Sequence, residues 1–491
     1  MNYSELIVFI IYLVAMLGVG VFFFTNAKGG EKEFFLGGRQ MGPWVTALSA
    51  GASDMSAWVL MGLPASIFAA GMGQTWIAIG LAVGYVLSWV VIAPRLRKFS
   101  IVANDSITIP QYLTNRFLSK SKSLQVICAV IFLFAYAIYA ASSIKACGTL
   151  FNTVLGIDAN IAMYIAAFII VAYTFLGGYN AVCWTDFFQG LLMLGALLIA
   201  PIFALAMVNS SSGAASAVTF PANYWSFLSS GKMDWGSWAD ILTGFGWGLG
   251  YFGMPHIIIR YMGIRSQREV KKSATVGIVW NILILAFAVA VGSIGRLFLG
   301  DLADSSLVFI TMVRKIFPPI ISGILLSAIL SAAMSTADSQ LLASASAFAA
   351  DVYKPLLRKN AKAKEMFWAG RIVVVAIAIA AIIIAANPNS GTIMGLVGNA
   401  WGVFGAAFGP VIFLSLFWKR FTFAGAIAGI VVGAAADIIW LAVPALSGTG
   451  LYEIIPGVIA GLICAVIVTL VSKKPDKEVE SMFEKSLSYT D

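Results

Sequence analysis

Charge is scarce in this chain of 491 residues: Asp, Glu, Lys and Arg together supply 11% of it. A soluble domain carries about a quarter, so an ordinary cytoplasmic enzyme is excluded. A disordered chain is excluded as well, because disorder needs a polar composition. Histidine occurs once, as His256, which rules out a histidine-rich metal cluster. Cys128, Cys147, Cys183 and Cys464 lie in or beside apolar runs with no CxxC spacing, so they read as buried thiols and not as a disulfide scaffold or a metal site. The first apolar run is preceded by Glu5 and by no Lys or Arg. It lacks a signal peptide's basic leader and is expected to be a retained first helix.

What the chain has is hydrophobicity: 60% of its residues are apolar, with a mean hydropathy of +0.92. Apolar segments are read at 4–25, 43–70, 74–98, 123–152, 158–177, 181–208, 237–261, 270–298, 305–350, 365–386, 391–418, 421–442 and 451–472. A spanning helix needs about 20 residues, so these predict an all-α integral membrane protein of about 13 transmembrane helices. The runs are too long and too continuous for the alternating strands of an outer-membrane barrel. The 305–350 run is too long for one span, and Pro318-Pro319 is expected to divide it. No stretch is large enough for a separate soluble domain, which favours transport over a receptor or an enzyme.

Lys and Arg collect in cytoplasmic loops. With the N-terminus outside, the basic residues of 28–39, 95–122, 260–272, 354–364, 419–420 and 473–485 all fall inside, and only Lys145, Lys232, Arg296, Arg314, Lys315 and Arg371 fall elsewhere. An odd number of spans puts the C-terminal tail inside too. The net charge of +9 then needs no nucleic-acid partner.

The informative residues are polar ones inside apolar runs, since a charge at the bilayer centre costs roughly 2.5–3.5 kcal/mol. Asp54 lies in TALSAGASDMSAWVLMGLP (46–64), a run of small residues that suggests an interrupted helix. The alternative is close packing through small residues. In GFGWGLGYFGMPHIIIRYM (244–262), Gly244, Gly246, Gly248, Gly250 and Gly253 precede Pro255, and each costs a helix about 1 kcal/mol against Ala. Trp247 and Tyr251, four apart, would share a face and wall a small-molecule pocket, or else form an interfacial aromatic belt. In 322–348, Ser335 and Thr336 are adjacent hydroxyls, and Ser335, Asp338 and Ser339 share a helical face. Such oxygens suit sodium, a hard cation, or simply bond back to the preceding turn.

Each interrupted segment is the first of five apolar segments. Five is odd, so the second set enters from the opposite side, giving an inverted repeat. The expected organisation is a leading helix and inner loop (1–42), a first repeat (43–208), an outer loop (209–236), a second repeat (237–420), two additional helices (421–472) and a cytoplasmic tail (473–491).

The motifs FFLGGRQMGPWVTALSAGASDMSAWVLMGLP (34–64), LRKFS with SITIPQYLTNRF (96–117), FLGGYNAVCWTDFFQG (175–190), GWGLGYFGMPHIIIRYM (246–262), GILLSAILSAAMSTADSQLL (323–342), VFGAAFGPVIFLSLFWKR (403–420) and GLYEIIPG (450–457) occur in order from end to end. With them the chain resembles the sodium:solute symporter family. That resemblance implies a LeuT-type fold of two inverted five-helix repeats in a bacterial inner membrane. It also implies import of an amino acid, L-proline, coupled to sodium, with no obligatory protein partner. It implies a sodium site from the backbone of Ala52, Met55 and Ala332 and the hydroxyls of Ser335 and Thr336. Asp54 and Ser56 match residues of cation and substrate coupling. Tyr139, Trp247, Tyr251 and Pro255 match a substrate pocket, Arg39 a coupling arginine, and Asp186 an acidic residue towards the cytoplasmic exit. Asp186, Asp338 and Ser339 would together form a second sodium site or an exit station. One departure stands out: Gly253-Met254-Pro255-His256 replaces the Gly-Gln-Pro-His usual in the proline carriers.

Overall fold

The computed structural model describes residues 3–26, 31–176, 178–210 and 218–491. Lys28 of the first basic loop, Gly177 of the FLGGYN motif and residues 211–217 of the 209–236 loop lie outside them. Among the described residues there is no β-strand, only an isolated bridge between Met41 and Ile264.

Helix α1 (Tyr3–Asn26) leads. The first interrupted segment is α2 (Pro43–Asp54) and α3 (Leu63–Ala70), separated by an unwound stretch and a wide turn at Trp58–Gly62. Then follow α4 (Thr75–Leu87), α5 (Ser123–Leu155), α6 (Ala159–Leu176) and α7 (Tyr179–Ser210). The second interrupted segment is α8 (Trp235–Leu249) and α9 (Pro255–Met262). After it come α10 (Val270–Leu299), α11 (Pro319–Phe348), α12 (Ala363–Ala386) and α13 (Ile393–Phe417). The last are α14 (Phe423–Ala442), α15 (Ile454–Val471) and α16 (Lys477–Ser488). Among the described residues, ten helices are long and apolar enough to cross a membrane. The other three expected spans fall on the two interrupted segments and on the 18-residue α6. Pro318 does divide the long run: a short helix, Val308–Ile316, precedes it and α11 starts at Pro319.

Both interruptions have local causes. Helix α2 ends where Met55 leaves helical geometry (φ −76°, ψ 70°), with its N–H still bonded to the Gly51 carbonyl at 2.9 Å. Its small residues admit large neighbours: a methyl on Gly51 would stand 2.5 Å from the Trp280 ring of α10. In the second segment a tight turn at Gly250–Phe252 and an extended Met254 lead into Pro255, whose missing N–H suits a helix start.

The glycines of 244–248 do not break the helix, contrary to the sequence expectation. Gly244, Gly246 and Gly248 lie inside α8, packed so closely on α4 that a methyl on Gly244 would stand 2.3 Å from the Trp76 carbonyl and one on Gly248 2.3 Å from the Gly80 carbonyl. Close backbone approach offsets the poor helix propensity. Gly250 and Gly253 stand at the break, Gly250 against the Trp401 ring and Gly253 against the backbone of Gly409.

The ends of the interrupted segments meet. Met41, ahead of α2, donates to the Gly263 carbonyl at 3.3 Å, and Arg265, beyond α9, donates to Met41 at 3.0 Å. This is the end of the molecule that carries the basic loops. Here α16, expected only as a tail, folds and docks: Val479, Met482 and Phe483 are buried, Phe483 packs edge-on to Phe99, and Lys419 pairs with Glu484 at 2.6 Å. Cys128, Cys147 and Cys183 are buried free thiols and Cys464 is a half-buried one.

Candidate ion and substrate site

The break in α2 faces the middle of α11, every residue of which from Leu325 to Ala347 is buried. Ser335 donates to the Ala52 carbonyl at 2.8 Å and to Ala332 at 3.3 Å, and Thr336 reaches the same Ala52 carbonyl at 3.5 Å. Four of the five expected sodium ligands are therefore brought together: Ala52, Ala332, Ser335 and Thr336. The fifth, Met55, stands at the break, but no side-chain hydrogen bond among the described residues reaches its carbonyl. Neutral oxygens at the end of a helix carry partial negative charge without a full one, which matches a monovalent hard cation.

Two residues past Ala52, Asp54 links the two interrupted segments. The Tyr251 hydroxyl donates to one carboxylate oxygen of Asp54, and the other oxygen has no hydrogen-bond partner among the described residues. The Asp54 carbonyl receives the Tyr139 hydroxyl at 3.4 Å, Trp58 Nε1 at 3.4 Å and the Ser56 N–H at 2.8 Å. Ser56 Oγ accepts from the Trp58 N–H at 3.5 Å.

Trp247 stacks on Tyr452 with centroids 5.0 Å apart and lies 6.3 Å from Trp58 and 6.2 Å from Trp401. Trp401 donates to the Trp247 carbonyl at 2.8 Å and meets Tyr251 edge-on at 5.1 Å. Pro255 opens α9 beside this group, and the next residue, His256, bonds the Tyr136 hydroxyl through its N–H and ring nitrogen, each at 3.1 Å. Trp247 and Tyr251 meet in one aromatic cluster through Trp401, with Tyr251 in the tight turn and not in a continuous helix. Trp58, Trp401 and Tyr452 escaped sequence reading. Tyr452 lies in the quoted GLYEIIPG motif, the only signal that could have found it.

Towards the basic end lies a second polar cluster, and it corrects the charge map. Arg260 was counted with the inner loops; it is 1% exposed on α9. Its guanidinium donates to His256 O at 2.8 Å, Ser49 Oγ at 3.2 Å, Ser339 Oγ at 2.6 Å and Asp186 Oδ2 at 3.4 Å. Ser49 also donates to Asp186 at 2.7 Å, and Ser339 to Asp338 at 3.4 Å. The expected trio of Asp186, Asp338 and Ser339 does assemble, around an arginine that sequence reading placed in a loop. With both acids ionised the cluster carries one excess negative charge, and Asp186 Oδ1 and Asp338 Oδ2 have no hydrogen-bond partner among the described residues. Arg97 and Arg116, also assigned to loops, are buried at the basic end, where Arg97 holds the Ile264 carbonyl at 2.9 Å and Arg116 that of Ser415 at 2.9 Å.

Arg39 adopts a positive φ of 54° and is 6% exposed. It donates to Asp105 at 3.0 Å, Ser100 at 3.1 Å, Ser106 O at 2.8 Å and Met262 O at 2.5 Å. It therefore ties the end of α9 to the helix Ala93–Val102 and to the turn that follows it. Burial pushes its pKa down and Asp105 pulls it back up; an arginine stays charged through both.

The sequence model of the sodium:solute symporter family matches residues 34–433. The sodium/proline symporters of Staphylococcus aureus strains USA300 / TCH1516 and JH9 are each 42% identical to this chain over 99% of its length and 96% of theirs. In structure, a Na+-coupled sialic acid symporter in a substrate-bound outward-open state superposes with a TM-score of 0.81 at 20% identity, covering 96% of this chain and 99% of that one. A nucleobase-cation-symport-1 family transporter does so with a TM-score of 0.58 at 14% identity, covering 92% and 97%. These likenesses show the fold, the LeuT type, in a multi-pass membrane protein.

Proposed function

Because the chain belongs to the sodium:solute symporter family, we propose that it couples inward sodium flow to uptake of L-proline by alternating access. The observation that carries this is the convergence of Ser335 and Thr336 on the Ala52 carbonyl at the break of α2. Asp54 and Tyr251 lie just beyond, bridging to the second break. Sodium binding the Ala52, Met55, Ala332, Ser335 and Thr336 oxygens fixes the unwound stretch and, through Asp54, the position of Tyr251. Proline, a zwitterion, then sits between the breaks. Its carboxylate faces half-helix N-termini such as that at Pro255, and its ring faces Trp247 and Tyr251. The reading takes 43–208 and 237–420 as the inverted repeats, thirteen spans in all, the N-terminus outside and the basic end with α16 inside. Arg39 then couples the inner end of α9 to the gate. No enzymatic step enters it. A rival substrate in the same class, another amino acid, pantothenate or a sugar acid, is favoured by the Met254 departure.

Uptake of radiolabelled proline into proteoliposomes, with and without a sodium gradient and against those competitors, tests the proposal. Uptake indifferent to sodium, or outcompeted by another solute, refutes it. Within the same assay, Tyr251→Ala is expected to weaken proline binding at least tenfold while sodium-induced fluorescence changes persist, with tenfold being about 1.4 kcal/mol. Equal loss of both responses would reduce Tyr251 to a packing residue. Met254→Gln is expected to keep or sharpen proline selectivity.

We further propose that Asp186, Asp338 and Ser339 hold a second sodium ion or pass one to the cytoplasm. The excess negative charge around Arg260 supports this, since two neighbouring carboxylates need more than one cation to stay ionised. Charge moved per proline, from reversal potentials, is expected to fall in Asp338→Ser if the ion is transported. A ratio of one in both proteins removes the stoichiometric site, and the exit role then requires slower sodium release in the variant.

A further inference from the structure

The GLYEIIPG stretch takes no part in the ion sites above. It lies at the end of the molecule opposite the basic loops, between α14 and α15. Tyr452 donates to the Gly398 carbonyl at 2.7 Å and stacks on Trp247. Its neighbour Glu453, immediately ahead of α15, is 9% exposed. One helical turn further, Gly457 lies against Asp437 of α14: a methyl on Gly457 would come within 3.1 Å of Asp437 Cβ. On the other side a methyl on Gly402 of α13 would meet the Asp437 carboxylate oxygens at 2.7 and 3.3 Å. Two glycines thus make the room that the Asp437 side chain fills.

Asp437 is fully buried, and neither of its oxygens has a hydrogen-bond partner among the described residues. An ionised carboxylate there is out of reach of bulk solvent and has no donor among the described residues, and a second carboxylate, Glu453, one turn before the Gly457 contact, adds repulsion. The packed elements offer no remedy. Helix α13 carries no titratable residue, α14 none besides Asp437, and α15 only Cys464, about two turns beyond Gly457. The Tyr452 hydroxyl is committed to Gly398. A buried intramembrane acid without a protein partner marks a place where an ion is held.

We propose that Asp437 and Glu453 bind a monovalent cation, a proton or sodium, from the side opposite the basic loops and apart from the Ser335 and Thr336 oxygens. The bound cation cancels one of the pair's two negative charges, relieves their repulsion and so steadies the Tyr452–Trp247 stack that closes the aromatic cluster. The site rests on the surroundings of Asp437 and does not need proline as the substrate.

The test uses the full-length protein in proteoliposomes carrying Ser335→Ala with Thr336→Ala, so that the main sodium cluster responds only at about tenfold to a hundredfold higher sodium. Tryptophan fluorescence is followed in two titrations: sodium replacing choline at fixed pH, and pH without sodium. A saturable change is expected in one of them, sodium or proton by the titration that shows it. Asp437→Asn is expected to move its midpoint by about tenfold, or one pH unit. Glu453→Gln, nearer the surface, is expected to move it in the same direction and serves if Asp437→Asn does not accumulate. Tyr452→Leu is expected to remove the signal. Superimposable titrations with and without these acid substitutions, or no saturable change at all, overturn the proposal. Absence of sodium-driven proline uptake by the wild type would overturn only the transport reading and leave these titrations interpretable.

Discussion

Replacing both hydroxyls of the α11 cluster, Ser335→Ala with Thr336→Ala, is expected to raise the sodium concentration for half-maximal uptake by about tenfold to a hundredfold. The physical reason is ligand loss. A contact to a charged group is worth about 1.5–3 kcal/mol, and each 1.4 kcal/mol is a tenfold change in affinity. The fold should tolerate the change. Ser335 and Thr336 point at a carbonyl, Ala52, that stands at a helix break, and alanine leaves small gaps on a helix already rich in alanine. Membrane accumulation, measured by immunoblot, is therefore expected to fall far less than sodium affinity. Unchanged sodium dependence would place the ion elsewhere.

Arg260→Met should have a comparably large effect by a different route. It strips the buried cluster of its one positive charge and leaves Asp186 bonded only to Ser49. Breaking a buried pair costs about 3–5 kcal/mol, because the remaining charge stays buried and unpaired. Accumulation and thermal stability are expected to drop sharply. Adding Asp186→Asn should recover much of the stability without recovering transport, since it removes the stranded charge along with the acid. If Arg260→Met alone is as stable as the wild type, the pair is not ionised in the folded protein. Arg260 lies on α9 and both Asp186 and Ser339 lie on other helices, so thermal melting in detergent reads this coupling directly.

Much was legible from sequence because lipid as a solvent leaves few choices. Backbone groups must be satisfied within helices, so long apolar runs translate directly into spans, and the ends of α5, α7 and α10 fall within three residues of the ranges read from hydropathy. The polar residues of 46–64 and 322–348 were informative for the same reason: a polar group in an apolar run needs a partner, and here the partners were each other. Charge was less reliable. Positive residues do gather at one end, but the rule that they sit in loops misplaced Arg260, four residues past His256 and within the apolar run.

Composition and hydropathy alone determined that the chain is a helical membrane protein, and motif order determined its family. Tertiary structure decided the rest. It showed that Gly244 and Gly248 serve close packing on α4, because glycine's weak helix propensity and its small size make opposite predictions that only a neighbouring helix can arbitrate. It also placed Arg260 between Asp186 and Ser339, and Asp437 between Gly402 and Gly457 without a donor. Whether a buried charge is paired depends on side chains as far off in sequence as the 74 residues from Arg260 to Asp186 and the 79 to Ser339, and no local pattern encodes that distance.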